Sequence, residues 1–211
     1  MPQSPIPRSS SATLTCKTMQ NTGMKIKRYA AALKRRIMRR LACRTAAGLV
    51  DHARECLKLK TAYLWGGLGF LLTDRVIDEK IAQYPEIFDV ETISRLRACA
   101  ASGDVYGFDC SGLIKRYMMG GLKYYDYDAS LDMNANRLLE KAEVKGDISS
   151  LPEVPGLCLY METHVGIYVG EGRVIESTPN PAFGFGVCET HLSDREWQMW
   201  FTCPAVKYPM I

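Results

Sequence analysis

The sequence predicts an α+β fold in which N-terminal helices pack on a C-terminal antiparallel sheet, and three observations support this. Apolar residues recur at helical spacing as far as about residue 145, then alternate with period two after Pro155, and Gly and Pro separate the alternating runs. Helices first and strands afterwards, with no internal repeat, argue against a doubly wound parallel sheet. The 211 residues are enough for one domain with a sizeable core and too few for two full-sized domains. A composition of 47% hydrophobic and 24% charged residues excludes a chain disordered throughout or collagenous.

The net charge of +4 averages two unlike parts. Residues 1–45 hold eleven Lys or Arg and no acid, which leaves sixteen bases against twenty-three acids in the remainder, +11 before −7. Residues 1–23, rich in Ser, Pro, Thr and Gln, read as a disordered leader, and Met24 to Arg44 as a basic helical or disordered arm. The expected division is therefore an extension over 1–44 and one domain over 45–211. The arm is either a solvated basic helix or a start-site extension, since Met24 and Met38 could each begin a shorter chain, or it is a contact for anionic lipid or wall polymer. No nucleic-acid partner is expected.

The longest apolar candidate, Ala62 to Leu72, is broken by glycines and falls short of a membrane span. Basic residues interrupt every possible signal-peptide core between Lys25 and Arg44, so synthesis in the cytosol is expected. The eight cysteines contain no CxxC, and the half-site Cys188–His191 lacks a second half, which argues against structural zinc. Most of these thiols are expected to be reduced and buried.

Leu49, Val50, Ala53, Cys56 and Leu57 predict an amphipathic helix after Thr45, ending before AYLWGG at 62–67. A second helix is expected from Asp74 to about Tyr84, stopped by Pro85. A third begins at FDCSGLIKRYMMGG, with Leu113, Ile114, Tyr117 and Met118 on one face and Gly120–Gly121 at its end. Asp132, Asn134, Asn136 and Glu143 imitate a calcium loop, but Arg137 stands where the sharp turn needs Gly. A capped helix from Ala135 to Lys145 is the better reading. Strands are expected in GLCLYM, THVGIYVG, RVIEST, FGVCETHL and FTCPAVKY.

Cys110 opens the third helix, where unpaired N–H groups and the helix dipole favour thiolate over thiol. Such a site, with an imidazolium nearby, can bring a thiol from about 8.5 into the range of roughly 3.5 to 7.5. Alone, a cysteine there reads equally as a small buried residue. His164 starts the most strongly alternating strand, where a rigid sheet can hold an imidazole against a helix end. A helix-start Cys followed by a strand His matches the order of a papain-like Cys–His dyad. His52 and His191 are expected to be surface or structural groups.

FDCSGLIKRY, the downstream HVGIYVGEGRVIE and the upstream AYLWGG resemble the three signature segments of NlpC-type cell-wall cysteine peptidases, in that order. The likeness runs from about Arg44 to the C-terminus, and LSDREWQMWFTCPAVKY resembles the end of bacteriophage and prophage lysin versions. The resemblance implies a papain-like fold, Cys110 as nucleophile and His164 as general base. It implies that Tyr63, Asp109 and Ser111 bind the free amine of a stem peptide or line the cleft. Packing is favoured for Trp65, and Asp109 equally suits a helix cap.

Many relatives place a second His in the strand after HVGIY, where this chain has Glu176. A carboxylate can accept the imidazole N–H and stabilise the imidazolium. A two-residue turn at Glu171–Gly172 alone would point Glu176 away from His164. A three-residue loop, Gly170 to Gly172 with Gly172 left-handed, sets Glu176 opposite Gly166 and on the face of His164, and is expected.

The implied activity is hydrolysis of a peptidoglycan stem-peptide amide, most plausibly after γ-D-glutamate, as in cell-wall degradation or phage lysis. The backbone N–H of Cys110 is the expected oxyanion donor, and the chemistry requires no metal or organic cofactor. An amidase or acyltransferase on the same scaffold, or a non-catalytic wall-binding or virion protein, remains an alternative. A lysin without a signal peptide is expected to reach the wall after release.

Overall fold

The computed structural model describes residues 44–209, so the extension expected over 1–44 lies outside the described residues except for Arg44. Helix α1 (Ala46–Leu57) starts where the Thr45 hydroxyl accepts the Gly48 N–H, and buries Leu49, Val50, Ala53 and Cys56. The Thr45 N–H and carbonyl both bond the Tyr117 hydroxyl, at 2.9 and 3.0 Å, tying the helix start to a distant segment.

Strands β1 (Lys60–Tyr63) and β2 (Leu68–Leu71) flank the AYLWGG turn. Helices α2 (Asp74–Gln83) and α3 (Val90–Ala101) follow, capped by Thr73 and Asp89, and lead to β3 (Val105–Phe108). These three strands form a small mixed sheet in the order β1-β3-β2, with β1 parallel to β3. Ala62, Leu64, Leu72, Ile77, Leu96 and Val105 make its core. Neither this sheet nor α3 is visible as periodicity, because its four-residue strands are too short to establish a period.

Helix α4 (Cys110–Met118) begins one residue after β3, and α5 (Ala135–Glu140) is capped by Asn134, whose side chain accepts the Arg137 N–H. The apparent calcium loop is thus a helix start. The helix ends before the expected Lys145, which instead opens β4 (Lys145–Asp147).

The second sheet adds β5 (Cys158–Met161), β6 (His164–Gly170), β7 (Arg173–Thr178), β8 (Gly186–His191) and β9 (Met199–Phe201). Its order is β4-β9-β5-β6-β7-β8, antiparallel throughout. The last strand lies upstream of the expected FTCPAVKY, because Pro204 has no N–H to donate and Ala205 is left-handed at φ 60°. On one sheet face Val165, Ile167, Ile175 and Phe201 pack with Leu49, Phe108, Leu113, Ile114 and Met118, seating α1 and α4. On the other, Leu157, Leu159, Tyr168, Val174, Trp197 and Trp200 form a further core. The α+β expectation holds, with a helix-borne cysteine against a C-terminal antiparallel sheet, but the small mixed sheet β1-β3-β2 is interleaved with the N-terminal helices. No described helix is long and apolar enough to cross a membrane.

Candidate active site

Asp109 organises the junction between β3 and α4. Its Oδ1 accepts the Gly112 N–H and the Ser111 hydroxyl, the latter at 2.9 Å, while Oδ2 accepts the Gly66 N–H at 2.9 Å. One carboxylate therefore caps the helix that Cys110 opens and straps the AYLWGG turn to it. The Asp109 N–H donates to the Gly67 carbonyl at 3.0 Å, and a Cβ on Gly112 would stand 1.9 Å from that same oxygen. Glycine at 112 is required by this approach of helix to turn.

Cys110 occupies the first turn of α4 and is 7% exposed. Its Sγ lies 4.0 Å from the Thr163 carbonyl oxygen and is faced by the N–H groups of Val165 and Ser111. Both sequence neighbours of His164 thus meet the sulfur. Thr163 holds a left-handed conformation, φ 64°, rare for a β-branched residue. Burial pushes the Cys110 thiol up to about 12, with the Asp109 carboxylate adding to the effect and the two N–H groups and Lys115 opposing it. Burial of the sulfur thus opposes the preference for thiolate expected at a helix N-terminus. The resting group is a thiol, and it needs a base.

His164 begins β6, and its Nε2 lies 2.5 Å from Glu176 Oε2. That contact engages Nε2, so Nδ1 is the ring nitrogen that Glu176 does not hold. Glu176 opposes Gly166 across β6 and β7, so it shares a face with His164 as expected. The means differs from the expected three-residue loop. Gly170 pairs with Arg173 around a two-residue turn, Glu171 and Gly172 at φ 54° and 66°, and the pairing shifts between Tyr168 and Gly170. A primed turn suits the twist of the strands, and the bulge restores the register that such a turn alone would lose.

Glu176 is fully buried yet well supplied with donors. Thr190 Oγ1 donates to Oε1 at 2.9 Å, and Arg195 donates through Nε to Oε1 at 3.0 Å and through Nη2 to Oε2 at 2.7 Å. Burial alone would raise its carboxyl, but the hydrogen bonds and charges of His164 and Arg195 bring it down to about 2. The indole of Trp197 stacks on the imidazole, with ring centroids 5.8 Å apart at 25°. Sequence reasoning misses Arg195 and Trp197, which lie between β8 and β9 where no period marks them. Thr190 was accessible to it, two residues beyond Cys188, the partner of Glu176 on β8.

A cleft of about 380 Å³ opens beside the sulfur, lined by Tyr63, Trp65, Asp109, Cys110 and Ser111 together with Lys115 and Asp132. Tyr63 is buried near Cys110, and burial followed by the nearby Cys110 and Asp109 raises its phenol, so it stays a neutral donor. Trp65 is 39% exposed on this cleft, which corrects its assignment to packing, because the turn carries the indole away from the small sheet's core. His52 is buried against the Leu113 carbonyl at 3.1 Å, and the exposed His191 caps a short turn through the Asp194 carboxylate. Both lie outside the cleft lining. Cys56, Cys99, Cys110, Cys158, Cys188 and Cys203 are all free thiols, four of them buried.

The NlpC/P60 family model matches residues 60–205. Among solved structures, the chain is similar to the NlpC/p60 domain of peptidoglycan hydrolase SagA, with 19% identity, 75% of this chain and 98% of that one covered, and a TM-score of 0.42. It is similar also to NlpC2 and NlpC1 of Trichomonas vaginalis, both with 17% identity, 74% of this chain covered and a TM-score of 0.42. The match spans 47% and 45% of those two chains. No curated protein matches. The family model covers well over half of the chain, including Tyr63, Cys110, His164 and Glu176, and the chain belongs to the NlpC/P60 family.

Proposed function

We propose that this cell-wall cysteine peptidase hydrolyses an amide of the peptidoglycan stem peptide, on the carboxyl side of γ-D-glutamate, through a thioester on Cys110. The observation that carries the reading is the start of β6. There His164 is held through Nε2 by buried Glu176, while the Cys110 sulfur lies against the backbone of Thr163 and Val165 on either side of it.

His164 Nδ1 takes the thiol proton as Sγ bonds to the scissile carbonyl carbon, and Glu176 stabilises the imidazolium. The carbonyl oxygen becomes an oxyanion and accepts from the backbone N–H of Cys110 at the helix start. As the tetrahedral intermediate collapses, the C–N bond breaks and the imidazolium protonates the leaving amine. His164 then deprotonates a water that attacks the thioester, releasing a carboxylate and restoring the thiol. Tyr63, Asp109 and Ser111 offer the peptide one neutral donor, one carboxylate and one hydroxyl along the cleft.

Cys110→Ala is expected to abolish release of soluble muropeptides from purified sacculi. Undiminished release sinks the assignment. Mass spectrometry of the products distinguishes hydrolysis, which adds water, from transfer, which leaves the acyl group on an acceptor. The +11 charge of residues 1–45 supports a separate contact with anionic wall polymer or lipid, reached after release from the cytosol. Deleting residues 1–43 is then expected to reduce salt-sensitive sacculus binding, and unchanged binding rejects that contact.

A further inference from the structure

We propose that Arg195 is a positioning residue of this site, one that fixes Glu176 through a side-on guanidinium fork and through it the imidazole of His164. The inference rests on the reading of Cys110 and His164 as the reacting pair. A glutamate side chain turns about three bonds, one more than a histidine's, so a buried glutamate orients a neighbour only if it is itself held. Here both oxygens are held. Nε and Nη2 of Arg195 bond Oε1 and Oε2 at 3.0 and 2.7 Å, a planar match that a lysine cannot reproduce.

The fork is in turn anchored. Nη2 also donates to Thr178 Oγ1 at 2.8 Å, and the guanidinium sits 4.5 Å from the centroid of the Phe183 ring. Its side chain is 11% exposed, so solvent does little to weaken these bonds. Thr178 lies two residues beyond Glu176 on the same face of β7, so strand, carboxylate and guanidinium move as one unit.

The charge matters as much as the geometry. An unpaired carboxylate buried at this depth would gain stability by taking up a proton, and a neutral Glu176 could not support an imidazolium. The other titratable groups around the pair do not supply a compensating cation. Cys188 on β8 is a thiol that burial pushes up to about 12, Asp194 beside Arg195 in the chain is a second carboxylate, and Cys110, Tyr63 and Asp109 line the cleft. Arg195 is the cation bonded to Glu176 among the described residues.

The test needs no substrate. Iodoacetamide alkylation of Cys110 in the full-length protein, located by peptide mapping at pH 7, reads the reactivity that His164 confers on the thiol. Arg195→Met is expected to slow it about tenfold, part of the total gain from a positioned base. Glu176→Gln is expected to slow it similarly, and the double variant to be no slower than the slower single variant, because both act through one contact. Arg195→Lys, which keeps the cation and loses the fork, is expected to fall between Arg195→Met and the wild type.

A folded Arg195→Met protein alkylated at the wild-type rate overturns the proposal, as do single losses that multiply in the double variant. Where the Met variant does not fold, a wild-type rate in Arg195→Lys overturns the fork. Failure of the wild type to release muropeptides from sacculi, with this pattern of rates intact, rejects the substrate reading and leaves the role of Arg195 standing.

Discussion

Trp197 lies stacked on the imidazole of His164, and it does so in space that Gly166 leaves empty. A Cβ at 166 would stand 2.9 Å from Trp197 Cη2 and 2.7 Å from Val174 Cγ1. The side chain missing from β6 is thus what admits the indole that covers the ring two residues earlier. An aromatic face opposite an imidazole also favours its cationic form, the state His164 passes through in the proposed reaction.

Gly166→Ala is therefore expected to cost about 1–3 kcal/mol of stability through overpacking. It should also lower the alkylation rate of Cys110, because the indole must move off His164. Urea unfolding and the alkylation assay measure the two effects. Stability and rate both at wild-type level reject the account of Gly166.

Replacing Trp197 by Leu keeps an apolar side chain and removes the aromatic face. The expectation is a slower Cys110 reaction with Glu176 still buried. The indole Nε1 has no hydrogen-bond partner among the described residues, so its loss removes no polar contact there and the effect reports the stack. A rate equal to wild type in a folded protein rejects the stack as a support for His164.

His52 gives a stability prediction with a defined pH window. Burial lowers its imidazole to about 4, with the charge of Arg116 contributing and the bond to the Leu113 carbonyl opposing. The unfolded chain takes up this proton below about 6.5, and the folded chain does not until about 4. Stability is therefore lost as pH falls from 6.5 towards 4, by about 2 kcal/mol at pH 5. His52→Gln removes the titration, so the gap in unfolding free energy between pH 7 and pH 5 should shrink by that amount. An unchanged gap shows that His52 is protonated in the fold.

The two duties of Asp109 can be separated. Asp109→Asn keeps an oxygen for the Gly112 cap but cannot accept at both the cap and Gly66, so α4 should persist while the AYLWGG turn loosens. Faster hydrogen exchange at the Gly66 amide and a raised KM with kcat retained are the expected signs. Asp109→Ala removes both bonds and is expected to cost about 1–2 kcal/mol. Equal exchange at Gly66 in wild type and Asp109→Asn rejects the strap.

The parts of the site that lie on long periodic elements were legible before folding. Cys110 is marked by the capped apolar helix that follows it, and His164 by seven residues of alternation. Glu176 was placed on the correct face because cross-strand partners share a face. The turn itself differs from the expected loop, since a two-residue turn with a bulge and a three-residue loop produce the same pairing of Gly166 with Glu176. The small mixed sheet escaped notice because each of its strands spans four residues, and its pairing joins segments separated by two helices.

By itself the amino-acid sequence determined the α+β order, the helix that presents Cys110 and the strand that presents His164, because caps and hydrophobic periods are local properties of the chain. Only the tertiary structure decided what surrounds them. It brought Arg195 and Trp197 from an aperiodic connection onto Glu176 and His164, and Gly66 onto Asp109. It also set burial against the helix dipole at the thiol, since a helix dipole can be read from position in the chain, whereas desolvation depends on everything packed around the sulfur.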